Sequence, residues 1–322
     1  MMDRREAVLA CVLLAVLAIA PLVASNILLN FLVTSLIIAL AAQGWNMLGG
    51  YAGQFSFGHA AFFGTGAYAT AILQIRYGVN AWVGLAVGIA LGAAVGWIIG
   101  ALSFRARLRG SYFALVTLAF AEVLRILANA SDFTGGAAGL LVNLEPGIGN
   151  LQFPSRAAFL WLLVVVIAGV LALTAWLARG RLGARMVAVR ENEDAARALG
   201  VDVLRTKLIA IALSGAITAA AGCLYVQNFL YLDANIAYGT WISVEVLIAA
   251  ILGGAGTVLG PVIGALALHG IGEVAKMALH GVAGPVPGVD LILFGALLIL
   301  GVAFLPTGVM GGLRRVLRRG RK

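Results

Sequence analysis

Long apolar blocks recur along the chain, and they limit its possible folds more than any other feature does. Crossing the hydrocarbon core of a bilayer takes ~20 apolar residues in a helix. We predict ten such spans, near residues 8–25, 27–47, 57–75, 81–103, 111–128, 157–178, 207–228, 240–253, 258–279 and 289–306. With 62% apolar and only 11% charged residues, the 322-residue chain lacks the charge that coats a soluble globule of this size.

The spans are predicted to be helices, because backbone N–H and C=O groups inside lipid must be satisfied within the segment. Strands of a membrane barrel would alternate polar and apolar residues, and these blocks do not. We therefore expect an all-α polytopic membrane protein with one transmembrane domain over residues 1–322. Only a glycine-rich stretch separates span 27–47 from span 57–75, and the same holds for spans 240–253 and 258–279. An arrangement of eight spans, with each of these pairs merged, therefore stays open.

The positive charges are clustered, and their positions predict the orientation. Of the 22 Lys and Arg residues, 18 fall at positions 4–5, 105–109, 179–207 and 314–322. Short loops rich in Lys and Arg stay in the cytoplasm. Ten spans put all four clusters on one side, so both termini and loop 179–206 are expected inside and loop 129–156 outside. We interpret the net charge of +9 as membrane flanks rather than a nucleic-acid surface.

Several kinds of catalytic and binding chemistry are missing from the sequence. The dipeptide Gly-Lys never occurs, which excludes a Walker A phosphate loop. Three histidines in unrelated positions exclude an HExxH metal site, and no GxSxG nucleophile elbow is present. We therefore expect a transport protein that is not an enzyme and holds no cofactor or metal of its own.

Glycines mark both helix packing and irregular backbone. A four-residue repeat runs through the fourth span, at Gly84, Gly88, Gly92, Gly96 and Gly100. Such a stripe lets another helix approach closely, either as static packing or as a sliding surface. Segments 49–69 and 253–265 instead combine glycines with polar groups at membrane depth, which is typical of broken helices along a substrate route. A tight helix hairpin is the alternative. The candidate pathway residues here are Gln54, Ser56, His59, Gly254 and Gly256.

Ionisable residues within the spans are few. Glu122 with Arg125, and Glu273 with Lys276, are spaced i,i+3 on one helix face, so each pair can neutralise itself. Glu245 has no such partner in its own helix, and a lone carboxylate in a span is a functional candidate by default. We add Glu122 and Glu245 to the candidate pathway, with bracing of the core as the alternative role for Glu245.

Loop 179–206 carries the sharpest local signal. Asn192 is placed to cap a helix of about two turns whose first residues are Glu193 and Asp194. Gly200 stands where a left-handed helix end is expected. This spacing of Asp194, Ala195 and Ala196 to Gly200 is similar to the Glu-Ala-Ala-xxx-Gly loop of permease subunits of ATP-driven importers, with Asp in place of Glu and without the Ile-x-Leu-Pro tail.

Longer blocks extend the resemblance over most of residues 49–265. The segments "GYAGQFSFGHAAFFGTGAYA", "RLRGSYFALVTLAFAEVLRIL", "TGGAAGL", "RENEDAARALG" and "GGAGTVLGP" occur in order. They resemble the M-type permease of the branched-chain (hydrophobic) amino acid ABC importers. Permeases of urea importers are similar, so urea or a short amide is the alternative substrate, and an ion-coupled secondary transporter is a less favoured alternative function.

The resemblance implies a multi-subunit importer in the bacterial inner membrane. This chain would pair with a second homologous permease, identical or not, and a periplasmic binding protein would deliver the substrate. Two cytoplasmic ATPases would hold ATP and Mg²⁺ and dock on the inner loop. The residues implied in that docking are Arg190, Glu191, Asn192, Glu193, Asp194, Ala195, Ala196 and Gly200.

Overall fold

The structure, a computed structural model, describes residues 4–283, 295–296 and 308–312, with side chains from residue 6 to residue 274 in the first range. Helices dominate the described residues. They are α1 (Arg4–Val23), α2 (Asn26–Trp45), α3 (His59–Tyr77), α4 (Ala81–Arg105), α5 (Gly110–Ala130), α6 (Arg156–Arg179), α7 (Arg181–Glu191), α8 (Glu193–Ala198), α9 (Val203–Phe229), α10 (Ala234–Ala237), α11 (Thr240–Gly253) and α12 (Gly260–Ala283). Two short strands, β1 (Leu140–Leu141) and β2 (Tyr231–Leu232), pair antiparallel.

The all-α polytopic class is confirmed. Within the described residues, 7 helices are long and apolar enough to cross a membrane: 6–23, 26–51, 81–105, 110–130, 156–179, 203–229 and 234–253. The range 26–51 consists of α2 and the π-helical turn Asn46–Tyr51 that follows it, and 234–253 consists of α10 and α11. The predicted spans 57–75 and 258–279 form α3 and α12, which fall outside this set. In α3 the glycines, Thr, Gln and Arg dilute the apolar residues, and the apolar stretch of α12 is the short Gly260–Val274. The predicted span 289–306 lies outside the described residues, apart from positions 295–296.

Charged and irregular segments gather at one end of the bundle. We call residues 46–58, 105–110, 179–206 and 253–259 together the basic end. The Nε atom of Arg109 lies 3.2 Å from a carboxylate oxygen of Glu193. Arg190 donates a hydrogen bond to the carbonyl of Gly50 at 2.9 Å. These contacts place two of the basic clusters, and one glycine-rich segment, side by side.

Residues 77–81, 129–155 and 230–239 form the opposite end, which we call the ladder end. Here Leu140 pairs with Leu232 and Leu141 with Tyr231 in the β1–β2 ladder. The Trp82 indole donates to the carbonyl of Ile148 at 2.8 Å, tying the start of α4 to the long loop.

Both ends of the described chain lie toward the basic end. The Trp161 indole, near the start of α6 at the ladder end, donates to the carbonyl of Ala18 near the end of α1. Helix α1 therefore begins at the basic end and runs toward the ladder end. Residue Gly308 lies directly against Gly254, which belongs to the basic end.

The glycine stripe of α4 packs mainly against α9. A Cβ atom added to Gly88, Gly92, Gly96 or Gly100 would meet atoms of α9, whereas one added to Gly84 would meet Thr70 of α3. On α9 the partners include the backbone of Gly215 and Ile211. Because α4 presents no side chain along this stripe, α9 approaches its backbone more closely than ordinary side chains would allow.

Candidate functional site

Helix α8 forms as its capping residues predict. The side-chain oxygen of Asn192 accepts hydrogen bonds from the backbone N–H groups of Asp194 and Ala195, both at 3.0 Å. Gly200 has φ +83°, the left-handed conformation that ends a helix. Ala196 is buried against Val189 and Val203, so α8 is fastened to α7 and α9 by a small apolar cluster.

Helix α7 was not predicted as a separate helix from the sequence. It covers Arg181–Glu191 and buries Gly183, Met186 and Val189, which follow one another at three-residue spacing. That spacing within an otherwise charged segment was the available signal for an amphipathic helix. Together α7 and α8 form a surface layer across the basic end.

Glu193 is the centre of a partly buried charge network. Its carboxylate forms ion pairs with the Lys207 ammonium and with Arg109, and it lies 3.4 Å from the amide nitrogen of Gln54. The side chains of Glu193 and Lys207 are only 14% and 5% exposed. The Lys207 nitrogen also lies 5.1 Å from the centre of the Phe104 ring. Glu193 thus joins α8 to α9, to the loop between α4 and α5, and to the segment after α2.

Asp194 faces solvent and behaves differently from its neighbour. Its side chain is 70% exposed and pairs with Arg197 at 2.9 Å and Arg109 at 3.5 Å. Exposed pairs of this kind contribute little to stability, because water and salt screen them. The carboxylate remains accessible from outside the bundle.

Arg190 connects the surface layer to both glycine-rich segments. Its guanidinium donates to the carbonyl of Gly50 at 2.9 Å and pairs with Glu191 at 2.7 Å. A Cβ atom at Gly256 would lie 3.0 Å from the same guanidinium, and one at Gly53 would meet the aliphatic part of Arg190. The side chain therefore occupies a narrow position between two segments that are distant in sequence.

The two glycine-rich segments also contact each other directly. The Asn46 amide donates to the carbonyl of Thr257 at 2.8 Å and accepts from the N–H of Gly256 at 2.7 Å. Gln43 donates to the carbonyl of Val258 at 2.6 Å. The interruptions are shorter than segments 49–69 and 253–265, because α3 is regular from His59 and α12 from Gly260. Gly254 and Gly256 have φ +119° and +77°, which other residues rarely adopt.

Gln54, Ser56 and His59 occupy two different environments. Gln54 lies beside Glu193 at the surface layer. Ser56 and His59 are fully buried. His59 hydrogen-bonds Ser214 of α9 at 2.8 Å through Nε2, and the Ser56 hydroxyl accepts from the N–H of Gly58.

The two acidic pathway candidates are also placed apart. Glu122 forms the predicted pair with Arg125, through contacts of 2.9 Å and 2.6 Å, and Arg125 also reaches Asn235 of α10 at 2.6 Å. The side chain of Glu122 is 42% exposed. For the second predicted pair, Glu273 is described but the Lys276 side chain lies outside the described residues.

Glu245 has a partner that the sequence did not indicate. Its carboxylate lies 2.8 Å from Nε2 of His269 on α12, and the other ring nitrogen lies 3.1 Å from the Ser35 hydroxyl on α2. This buried chain of three side chains joins α11, α12 and α2. The 24 residues between Glu245 and His269 hide the pairing from any local pattern.

Comparison with known proteins identifies the family. Residues 27–302 match the model of a family described as "Branched-chain amino acid transport system / permease component". The high-affinity branched-chain amino acid transport system permease protein LivM of Escherichia coli K12 is 29% identical over 93% of this chain and 74% of its own length. A second permease protein of the high-affinity branched-chain amino acid transport system of Escherichia coli K12, LivH, is 27% identical over 85% of this chain and 91% of its own length.

A further relative matches only part of the chain. The L-arabinose transport system permease protein AraH of Escherichia coli K12 is 34% identical over 53% of this chain and 49% of its own length. No solved structure matches significantly. Because the family match covers more than half of the sequence, the chain belongs to the family of branched-chain amino acid transport system permease components.

Proposed function

We propose that this chain is the transmembrane permease subunit of an ABC importer that passes branched-chain or other hydrophobic amino acids across the bacterial inner membrane. LivM and LivH, which match most of the chain, are both named as branched-chain amino acid permeases. AraH, named for arabinose, matches only about half of the chain. The substrate assignment therefore rests on the relatives that match at nearly full length.

We further propose ten spans in one domain over residues 1–322, with both termini and loop 179–206 in the cytoplasm and loop 129–156 in the periplasm. An even number of spans is supported by the start of α1 and residue Gly308, which both lie toward the basic end. The orientation is supported by the clustered Arg and Lys residues at that end, since such loops resist translocation.

In this proposal the ATPases press on the surface layer formed by α7 and α8. The single observation that carries it is the position of Arg190, which touches both glycine-rich segments at once. A displacement of α7 would therefore move residues 46–58 and 253–259 together. The proposed coupling residues are Arg190, Glu191, Asn192, Glu193, Asp194, Ala195, Ala196 and Gly200.

The proposed pathway follows the free face of α5. Glu122 and Arg125 are partly exposed on that helix, and charged side chains at membrane depth require protein or water rather than lipid beside them. A second homologous permease facing α5 would meet this requirement. The path would include Ser56, His59, Gly254 and Gly256 only after the glycine-rich segments that carry them have moved. Gln54 would connect this path to the surface layer, and Glu245 would brace the spans that lie behind the path.

ATP and Mg²⁺ would be bound by the two ATPases, and a periplasmic binding protein would deliver the substrate, so this chain needs no cofactor. The test is reconstitution of the chain in liposomes with a second permease, two ATPases and a binding protein encoded beside it. We expect leucine uptake that requires ATP. Uptake by the chain alone under a proton gradient would instead favour the secondary transporter, and uptake of urea but not leucine would correct the substrate.

The docking surface is tested by charge reversal at Glu191, whose side chain is 67% exposed. Glu191→Arg should strongly reduce both copurification of the ATPases and substrate-stimulated ATP hydrolysis. The matched control is Glu145→Arg, the same reversal in an exposed position of loop 129–156. Equal ATPase copurification with both variants would overturn the assignment of the surface layer.

A further inference from the structure

Two cavities of opposite character adjoin at the beginning of α9. One has a volume of about 420 Å³ and is lined largely by charged residues of α8, α9 and the α4–α5 loop. The other has a volume of about 520 Å³ and is lined mainly by apolar residues of α4 and α9. Leu204 lines both cavities, so they adjoin at that residue.

The charged cavity has a positive excess. Arg107, Arg109, Arg197 and Lys207 face two carboxylates, those of Glu193 and Asp194. Arg109, Arg197 and Lys207 share these carboxylates, and Arg107 forms no ion pair with a carboxylate within the described part of the chain. The cavity is therefore suited to an anion with several acceptor oxygens, such as a phosphate group.

The apolar cavity is a groove along the outside of the α4–α9 contact. Leu204, Leu208, Ala212 and Ala216 line it at four-residue spacing on α9, and Ala93 and Trp97 of α4 form the other wall. From residue 204 to residue 216 a helix rises ~18 Å. One leaflet of the hydrocarbon core is about 15 Å thick, half of the whole. The groove thus extends over about one leaflet, starting from the end that carries the cations.

We propose that one anionic phospholipid binds across the two cavities, with its phosphate in the charged cavity and an acyl chain in the groove. Basic pockets between helices on the cytoplasmic side of a membrane suit anionic head groups. Arg109 and Arg197 also hold Glu193 and Asp194 of α8, so the bound phosphate braces the surface layer. The position of this lipid in the inner leaflet rests on the orientation proposed above. Binding of the lipid itself does not depend on which substrate is transported.

The test uses the full chain alone, purified in detergent, and titrates dioleoyl phosphatidylglycerol against dioleoyl phosphatidylcholine by native mass spectrometry. We expect one retained phosphatidylglycerol and weaker, non-stoichiometric phosphatidylcholine. Arg107 is the cation of the charged cavity that has no carboxylate partner among the described residues, and Arg205 lines the groove next to Leu204, where the two cavities adjoin. The double substitution Arg107→Ala/Arg205→Ala should weaken phosphatidylglycerol binding about twenty-five-fold, at about fivefold for each cation near the head group. The control Arg185→Ala removes one exposed cation from α7, outside both cavities, and should leave binding unchanged.

Two further arms separate a lipid from its head group alone and from a protein ligand. Ala212→Trp fills the groove and should weaken the lipid but not inorganic phosphate. Equal affinity for the two lipids, or equal effects of Arg185→Ala and the double substitution, would overturn the proposal. It would also be overturned if inorganic phosphate displaced the lipid equally well in wild type and Ala212→Trp, or if Arg107→Ala abolished ATPase copurification while phosphatidylglycerol binding stayed intact.

Discussion

The two ends of the bundle are held together by different kinds of contact. At the ladder end, β1 and β2 pair through their backbones and an apolar cluster lies beneath them, with Tyr68 stacked on Tyr238. At the basic end, single polar side chains such as Asn46, Arg190 and Glu193 reach from one helix to another. A contact made by one side chain can be exchanged without unfolding its helix, so the basic end is the better suited of the two to rearrangement.

The largest effect on stability is expected at Glu193. Glu193→Ala leaves the Lys207 ammonium buried without its carboxylate, and losing one partner of a buried pair costs about 3–5 kcal/mol. The exposed control Asp194→Ala should cost less than about 1 kcal/mol. The free energy of unfolding is measured by denaturant titration in mixed micelles.

The double substitution Glu193→Ala/Lys207→Met identifies the cause. If the loss comes from the unpaired charge, removing that charge should restore most of the stability, because apolar replacements of buried pairs are often neutral. Equal losses in Glu193→Ala and Asp194→Ala would mean that the basic end has no buried electrostatic centre. The contrast between the two ends would then lose its main support.

An intermediate effect is expected at the ladder end, at Gly139. This residue has φ +77°, and a Cβ atom there would press on the carbonyl of Leu232 in β2. Gly139→Ala should therefore cost about 2–3 kcal/mol, the upper part of the range for backbone strain. Gly136→Ala is the matched control, since it also has positive φ (+54°) but its nearest atom would lie 3.6 Å away. It should cost about 1 kcal/mol in the same titration, and equal costs would show that the ladder tolerates displacement.

The sequence predicted features whose determinants lie close together in the chain. The capped helix α8 depends on Asn192 and Gly200, and the Glu122–Arg125 pair depends on spacing within one helix turn. The apolar blocks indicated the helices for a similar reason, because each block is defined by its own composition. Local patterns of this kind require no knowledge of how the helices pack.

The contacts that organise the basic end could not be predicted in this way. Arg190 and Gly50 are 140 positions apart, and Gln54 and Glu193 are 139 positions apart. Such pairs depend on how α2, α7 and α8 pack in three dimensions, and many other polar residues would have been equally plausible partners. The β1–β2 ladder was not predicted either. Its strands are distant in sequence, and strands of two residues carry almost no pattern of their own.

The smallest effect on stability, but a clear effect on transport, is expected for Gly256→Ala. The substitution places a methyl group 3.0 Å from the Arg190 guanidinium, the movable end of a long side chain, and 3.1 Å from the carbonyl oxygen of Gly50. The cost is therefore the strain of φ +77° and a small shift at Gly50, about 1–2 kcal/mol together. The control Gly78→Ala has φ +60° and open space around it at the ladder end, and should cost a similar amount.

The two variants should differ in function because only Gly256 touches the link between α7 and the glycine-rich segments. In the reconstituted complex, Gly256→Ala should lower the substrate uptake obtained per ATP hydrolysed several-fold, whereas Gly78→Ala should leave that ratio unchanged. The ratio separates coupling from folding, since a loss of folded protein lowers uptake and hydrolysis equally. An unchanged ratio for Gly256→Ala would mean that Arg190 only packs between the segments, and that force from the ATPases reaches them by another contact.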